Sequence, residues 1–168
     1  MSAPLSGVTL VAFGRPHLAQ TLLWTNDPEL ARLLDRRQRV TAEEHERWFD
    51  SLDSRQDTRV FAIEDEARHI GNVWLADIDP RHRKAEVRIV LAPDAANRGC
   101  GSRAIELVAA QAFGQMNLHR LYAFVLAFNP RGRRAFEKAG FSLEGTLRDD
   151  RFDGVNFVDA FVLGRIND

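Results

Sequence analysis

Hydrophobic residues change their spacing along the first third of the chain, and this pattern predicts one strand followed by three helices. Residues 8–13 are rich in β-forming side chains, which is typical of a short strand. After Pro16, leucines recur at helical spacing as far as Trp24, and a second leucine-bearing helix starts at Pro28. Thr41 has a glutamate three residues later, which matches a capping box and predicts the third helix.

The remainder of the chain alternates between strand-like and helix-like patterns. Three strand-like runs separated by polar turns come first, at residues 58–63, 69–78 and 85–91. A helix, an apolar strand, a second helix and a hairpin around Asp153-Gly154 follow, at residues 102–113, 120–128, 131–139 and 141–163. This order predicts an α+β fold with a mixed, mostly antiparallel central sheet flanked by helices, in one domain that spans residues 1–168.

The overall composition narrows the classes of function. The 168 residues have a net charge of −1, so no global basic field points to nucleic acid. No apolar run is long enough to span a membrane, and the N-terminus lacks the basic and apolar segments of a signal peptide. Cys100 is the single cysteine, which excludes an intramolecular disulfide and favours a reducing, cytoplasmic location. We expect no metal.

A glycine-rich turn at residues 95–103 lies between a predicted strand and a predicted helix. Such a turn is typical of an anion site, because glycines let the backbone approach the anion and the first N–H groups of the helix point at it. Residues 99–104 also match the dinucleotide-binding fingerprint. That interpretation fails because residues 92–98 separate the turn from its strand and the next strand does not end in an acidic residue. A P-loop fails too, since no Gly-Lys-Ser/Thr follows.

Three segments together resemble the GNAT superfamily of N-acetyltransferases, and within it the RimJ/RimL-like enzymes. The turn Ala96-Asn97-Arg98-Gly99-Cys100-Gly101-Ser102 stands where the family has Gln/Arg-x-x-Gly-x-Gly/Ala. Residues 129–141 resemble the family's Asn…Tyr-Glu-Lys-x-Gly-Phe block, and residues 144–159 resemble the C-terminal hairpin of the subfamily. Residues 24–29 and 44–49 look similar as well, so the resemblance extends over nearly the whole chain.

The resemblance implies that acetyl moves from acetyl-CoA to an amine, and that acetyl-CoA enters a gap where the strands of Glu86 and Arg120 part. The residues that we expect to hold acetyl-CoA are Val90, Leu91, Ala92, Asn97, Arg98, Gly99, Cys100, Gly101, Ser102, Arg103, Asn129 and Arg133. Two positions depart from the family pattern. Ala96 replaces a polar side chain at the head of the turn, and Phe136 replaces a tyrosine thought to protonate the leaving thiolate.

The chemistry needs a base, because the amine arrives mostly as ammonium and must lose a proton before it attacks directly. Glu86 is the first candidate for the catalytic base, with an ion pair to Arg88 as the alternative, structural role. Tyr122, the single tyrosine, or water is expected to protonate the departing thiolate. Cys100 lies inside the turn, so an acyl-cysteine route is disfavoured.

The acceptor is expected between the first helices and the closing hairpin, with Trp24, Asn26, His45 and Trp48 as candidate contacts. A small molecule such as an amino sugar, a polyamine or an antibiotic-like amine is the leading acceptor. Protein N-termini are the alternative within the same reaction class, and a non-catalytic acyl-CoA-binding module is the alternative outside it. We expect a homodimer.

Overall fold

The computed structural model describes residues 7–168. The strands are β1 Val8–Ala12, β2 Arg59–Asp65, β3 Arg68–Asp79, β4 Lys84–Leu91, β5 Arg120–Leu126, β6 Ser142–Phe152 and β7 Phe157–Ile166. The helices are α1 Leu18–Thr25, α2 Pro28–Leu33, α3 Ala42–Ser51, α4 Cys100–Gly114 and α5 Pro130–Lys138. The strands form a seven-stranded sheet in the order β1-β2-β3-β4-β5-β7-β6, and all neighbours are antiparallel except β4 and β5. The predicted α+β class with a mixed, mostly antiparallel sheet is confirmed.

Several helix ends form where the sequence predicts them. Thr41 and Glu44 make the capping box: the Glu44 N–H donates to Thr41 Oγ1 at 3.2 Å, and the Thr41 N–H donates to Glu44 Oε2 at 2.8 Å. Asp27 caps α2 by accepting a hydrogen bond from the Leu30 N–H at 3.0 Å. Gly140, which ends α5, has a φ of 86°, a left-handed conformation that favours glycine.

Both faces of the interior strand β3 are covered. Consecutive side chains of a strand point to opposite faces, and residues 70–76 of β3 are all buried. On one face, the Asn72 amide donates to the Thr21 hydroxyl of α1 at 2.9 Å, which ties that helix to the sheet. On the other face lies α4, whose fully buried Ala104 and Ala109 permit a close approach to the sheet and whose Ile105 fills the interface.

The sheet opens where β4 and β5 part. These two parallel strands pair only from Lys84 opposite Arg120 to Glu86 opposite Tyr122. Beyond Glu86, β4 continues to Leu91 paired with β3 alone, while β5 continues paired with β7. The edge of β4 that faces β5 is therefore unpaired beyond Glu86 within the described chain. This is the predicted gap between the strands of Glu86 and Arg120.

The closing hairpin differs from its prediction. Its turn has four residues, 153–156, instead of being centred on Asp153 and Gly154 alone, because Asp153 Oδ1 accepts hydrogen bonds from the N–H groups of Val155 and Asn156. β6 and β7 are both longer than predicted, and β7 begins and ends later in the sequence. Across residues 7–168, no helix combines the length and the apolar character needed to cross a membrane.

Candidate active site

A cleft of about 790 Å³ occupies the opening between β4 and β5. Its walls come from β4, the glycine-rich turn, α5, the end of β5, and the α2 region with Trp48. Of the residues predicted from sequence, it brings together Glu86, Val90, Leu91, Asn97, Gly99, Gly101, Ser102, Asn129 and Trp48. The cleft therefore joins the glycine-rich turn, the Asn129 block and the candidate base in one continuous space.

The glycine-rich turn has the geometry of an anion cradle. Asn97 and Gly99 have φ values of 59° and 80°, and α4 starts directly after Gly99. The first N–H groups of α4 have no acceptor within the helix, and the helix dipole makes this end positive. A Cβ at Gly101 would lie 3.2 Å from Leu91 Cδ1, so glycine lets the helix start lie close against β4.

Several polar side chains of the turn are already engaged within the protein. The Ser102 hydroxyl donates to the Gly99 carbonyl at 3.0 Å, which stabilises the turn. Arg98 pairs with Asp65 at 3.5 Å, and Arg103 pairs with Glu106 at 3.2 Å. Neither arginine lines the cleft, so the cradle presents mainly backbone N–H groups to a ligand.

Cys100 and Ala92 are also placed away from the cleft lining. The Cys100 side chain is buried, and this burial, together with Asp65, raises the pKa of the thiol and disfavours the nucleophilic thiolate. The Ala92 N–H donates to the Ile70 carbonyl at 2.7 Å, which continues the pairing of β4 with β3. Of the predicted main-chain contacts at residues 90–92, those at Val90 and Leu91 line the cleft.

The start of α5 is organised by Asn129, whose Oδ1 accepts a hydrogen bond from the Gly132 N–H at 2.9 Å. A Cβ at position 132 would lie 2.6 Å from Asn129 Nδ2, so the cap depends on glycine there. Arg133, which the sequence analysis expects to bind the cofactor, donates instead to Glu137 Oε1 at 2.8 Å and lies over Phe161. It does not line the cleft.

Three other cations of α5 line the cleft and were not predicted: Arg131, Arg134 and Lys138. Within residues 7–168, none of them forms an ion pair. Their spacing of three and four residues places them on one helix face, while Arg133 lies on a different one. This helical spacing is the sequence signal that would have found them.

Glu86 lies at the point where the strands part, with 8% of its surface exposed. Arg88 Nη2 lies 2.7 Å from Glu86 Oε2 and 3.5 Å from Asp77 Oδ2, so the ion pair considered as an alternative role is present. Tyr122 stands opposite Glu86 in the register of β4 and β5 but does not line the cleft. Burial, and then Glu86 and Asp77, raise the pKa of Tyr122 and keep its proton in place.

The candidate acceptor contacts lie in different places: one lines the cleft, Asn26 lines a smaller cavity beside it, and the other two are buried. Trp48 lines the cleft, and the buried His45 stacks on it with ring centroids 5.2 Å apart. Burial lowers the pKa of His45, which favours the neutral ring. Trp24 is buried 4.7 Å from the His69 ring, and Asn26 exchanges two hydrogen bonds of 2.8 Å with the Val40 backbone.

The two departures from the family pattern both line the cleft. Ala96 presents a methyl group at the head of the turn, so that position offers no side-chain hydrogen bond to a phosphate. Phe136 is 4% exposed and packs against Phe141 with ring centroids 5.1 Å apart. A phenyl ring has no proton to donate, and Phe136 therefore supplies shape and an apolar surface. No group of three or more potential metal ligands comes together among residues 7–168.

Comparison with known proteins agrees with this architecture. The model of the acetyltransferase (GNAT) domain family matches residues 8–142, and the chain belongs to this family. The spermidine N(1)-acetyltransferase of Escherichia coli K12 is 34% identical over 105 residues, which cover 62% of this chain and 56% of that protein. The corresponding enzyme of Vibrio cholerae is 33% identical over 103 residues, covering 61% of this chain and 60% of that protein. The aligned segment thus spans little more than half the length of these relatives.

Solved structures extend the similarity to the whole fold. A crystal structure of spermidine N-acetyltransferase from Vibrio cholerae in complex with CoA and spermine superposes with a TM-score of 0.91. Sequence identity is 26%, and the alignment covers 96% of each chain. A dodecameric structure of the same enzyme in an intermediate state superposes with a TM-score of 0.81. The predicted membership of the GNAT superfamily is confirmed.

Proposed function

We propose that this protein transfers the acetyl group of acetyl-CoA to a primary amine of a small molecule. The observation that carries the proposal is the cleft where β4 and β5 part, with the positive end of α4 on one side and Glu86 at its apex. Membership of the GNAT family and the similarity to a CoA complex support acetyl-CoA as the co-substrate. We further propose that residues 1–168 act as one domain and, because of the single cysteine, in the cytoplasm.

The phosphates of acetyl-CoA would lie between the glycine-rich turn and α5. The turn offers the N–H groups around Gly99 and Gly101 to the pyrophosphate. Arg134 and Lys138 line the same cleft and would bring positive charge to the phosphates. The alanine side chain at position 96 cannot do so. The amides of the pantetheine arm fit the unpaired edge of β4, where they would add to the sheet as a further strand does.

The reaction would proceed by direct attack. Glu86, directly or through water, takes the proton of the ammonium, and the freed nitrogen attacks the thioester carbonyl carbon. A backbone N–H at the β4 edge stabilises the developing oxyanion. The C–N bond forms as the C–S bond breaks, the nitrogen releases its second proton to water, and the thiolate leaves with a proton from Tyr122 or water. Because the pKa of a free thiol is about 8.5, the thiolate is an adequate leaving group without a strong acid.

The acceptor class is a small-molecule amine, and the relatives' activity on spermidine supports a place for polyamines among the candidates. Amino sugars and antibiotic-like amines belong to the same class. If the chain is a RimJ/RimL-like enzyme, protein N-termini are a further candidate acceptor. Because Phe136 replaces the family tyrosine, a non-catalytic module that only binds acyl-CoA is the alternative to an enzyme.

The test is release of free thiol from acetyl-CoA in the presence of a panel of amines. The panel contains spermidine, glucosamine, an aminoglycoside and a short peptide with a free N-terminus. Amine-dependent release with a small molecule supports the proposal, and release with the peptide alone replaces it with N-terminal acetylation. Binding of CoA without thiol release under any amine refutes the enzyme and leaves the binding module.

We also propose that the chain self-associates through the closing hairpin. Val155 and Phe157 are 81% and 64% exposed, and Leu143 and Phe152 add further apolar surface on the same hairpin. A relative is described as dodecameric, which supports assembly beyond a monomer. Light scattering on the intact protein measures the mass of the assembly. Phe157→Asp should lower this mass if the hairpin is the interface.

A further inference from the structure

Each carboxylate that lines the cleft has an arginine within 4 Å. Within the described chain they are Asp35, Asp77 and Glu86. Arg88 lies 2.7 Å from Glu86 and 3.5 Å from Asp77, and Arg151 lies 3.2 Å from Asp35. Arg88 is shared by Glu86 and Asp77, so these two carboxylates keep one net negative charge, enough for the single ammonium that reacts at Glu86.

Arg36 also lines the cleft, but unlike Arg88 and Arg151 it has no carboxylate partner among the described residues. Its guanidinium donates to the Thr25 hydroxyl at 3.3 Å, and within residues 7–168 it forms no ion pair. The residue is exposed to solvent, and the surrounding protein, together with the charge of Arg88, lowers the pKa of Arg36. A cation that lies near a second cation is stabilised when an anion binds there.

A second cavity continues from the cleft at this point. It has a volume of about 390 Å³, and it shares Asp35, Arg36, Leu126 and Arg151 with the cleft. Three more arginines line it, Arg32, Arg37 and Arg39, against one further carboxylate, Asp153. Arg32 and Arg37 lie over the rings of Phe128 and Phe152, which holds their side chains in place. The space beyond Arg36 is thus cationic and large enough for part of a ligand.

We propose, building on the acetyl transfer proposed above, that the acceptor is an amine that also bears an anionic group, a carboxylate or a phosphate, and that Arg36 binds this group. The reacting amine lies at Glu86, and the remainder of the molecule extends past Arg36 into the second cavity. The anionic group of the acceptor would distinguish this enzyme from one that acts on a polyamine without such a group. Both enzymes would catalyse the same acetyl transfer, but on different classes of amine.

Matched pairs of amines test the proposal by thiol release. Putrescine is compared with ornithine, which adds a carboxylate, and glucosamine with glucosamine 6-phosphate, which adds a phosphate. A charge-assisted hydrogen bond predicts at least about a tenfold higher kcat/KM for the anionic member of one pair or both. A gain in the first pair alone assigns a carboxylate, and a gain in the second alone assigns a phosphate.

Variants locate the effect. In Arg36→Gln the ratio of kcat/KM between the anionic and the neutral amine should fall close to one, while the KM for acetyl-CoA stays unchanged. Arg36→Lys should keep part of the preference for the anionic amine. Arg81→Gln is the matched control, since Arg81 lies in the exposed turn between β3 and β4, outside both cavities. Thermal unfolding of each variant confirms that it folds.

Each outcome decides the proposal. Turnover of putrescine or spermidine as fast as that of the anionic amines overturns it, and so does a preference that survives in Arg36→Gln. If no amine stimulates thiol release, the proposed function fails by itself. Calorimetric binding of the same pairs to the CoA-saturated protein then decides this inference. Tighter binding of the anionic member that is lost in Arg36→Gln supports it, and equal or absent binding refutes it.

Discussion

Replacement of Glu86 by glutamine tests the proposed chemistry most directly. The side chain is almost fully buried and lies 2.7 Å from Arg88. Glutamine keeps the shape and one oxygen for Arg88, but it cannot take a proton from the ammonium. General-base catalysis contributes about 10² to 10⁴-fold, so kcat/KM at pH 7 should fall by that factor, which is about 3 to 5 kcal/mol in the activation free energy.

The pH dependence separates loss of the base from general damage. Without a base, only amine that is already neutral in solution can react. The rate of Glu86→Gln should therefore rise about tenfold per pH unit until the pH nears the pKa of the amine, about 10 for a simple alkylamine. The unmodified protein should rise less steeply, and the two profiles should converge at high pH. Thiol release from pH 6 to pH 9 at saturating acetyl-CoA measures this.

The control is Glu46→Gln on α3, because Glu46 also pairs with an arginine, Arg15, at 3.0 Å but lies on the exposed surface. It should leave kcat/KM unchanged. Arg88 keeps Asp77 at 3.5 Å in the Glu86 variant, so the free energy of unfolding should fall by only about 1 kcal/mol. Equal kcat/KM for Glu86→Gln and the unmodified protein across the whole pH range would remove Glu86 from the mechanism.

Three further predictions concern the cofactor, the fold and the cysteine. The double variant Arg134→Gln, Lys138→Gln should raise the KM for acetyl-CoA about tenfold or more with little change in kcat, and it should weaken the salt dependence of KM; an unchanged KM would place the phosphates elsewhere. Because burial lowers the pKa of His45 in the folded chain, the unfolded chain binds the proton more readily; the free energy of unfolding should be highest above about pH 6.5 and fall as the pH drops below it. Urea unfolding from pH 5 to 7.5 should show a smaller fall in His45→Gln, and an equal fall would assign the effect to other groups. Cys100→Ala should retain kcat/KM within about threefold, since the raised pKa of this thiol argues against an acyl-enzyme; a loss of about a hundredfold or more would restore that route.

Local signals in the sequence predicted the elements and the family well. Thr41 and Asp27 are caps that act over three residues, so a short stretch of sequence contains all the information they need. The glycine-rich turn is a similar case, because Gly99 must adopt a positive φ before α4 can start. These features depend on neighbours in the chain and are therefore readable without a structure.

Side-chain partners were harder to predict. Arg133 was the expected phosphate ligand of α5, but its neighbours on the helix surface are Glu137 and Phe161, while Arg134 and Lys138 face the cleft. Arg98 was expected to face the cofactor and pairs with Asp65, which is distant in sequence. The cofactor roles of Arg98 and Arg133 remain predictions.

The sequence by itself determined the order of strands and helices, the position of the glycine-rich turn and the superfamily, because periodicity, caps and glycine conformations are local properties. Only the tertiary structure decided how charges are shared across the cleft. It brings Arg151 from β6 to Asp35 and, within residues 7–168, leaves Arg36 without an ion pair. Coulombic interactions depend on distance in space, and residues far apart in the chain meet only after folding. The charge of the acceptor is therefore inferred from the structure.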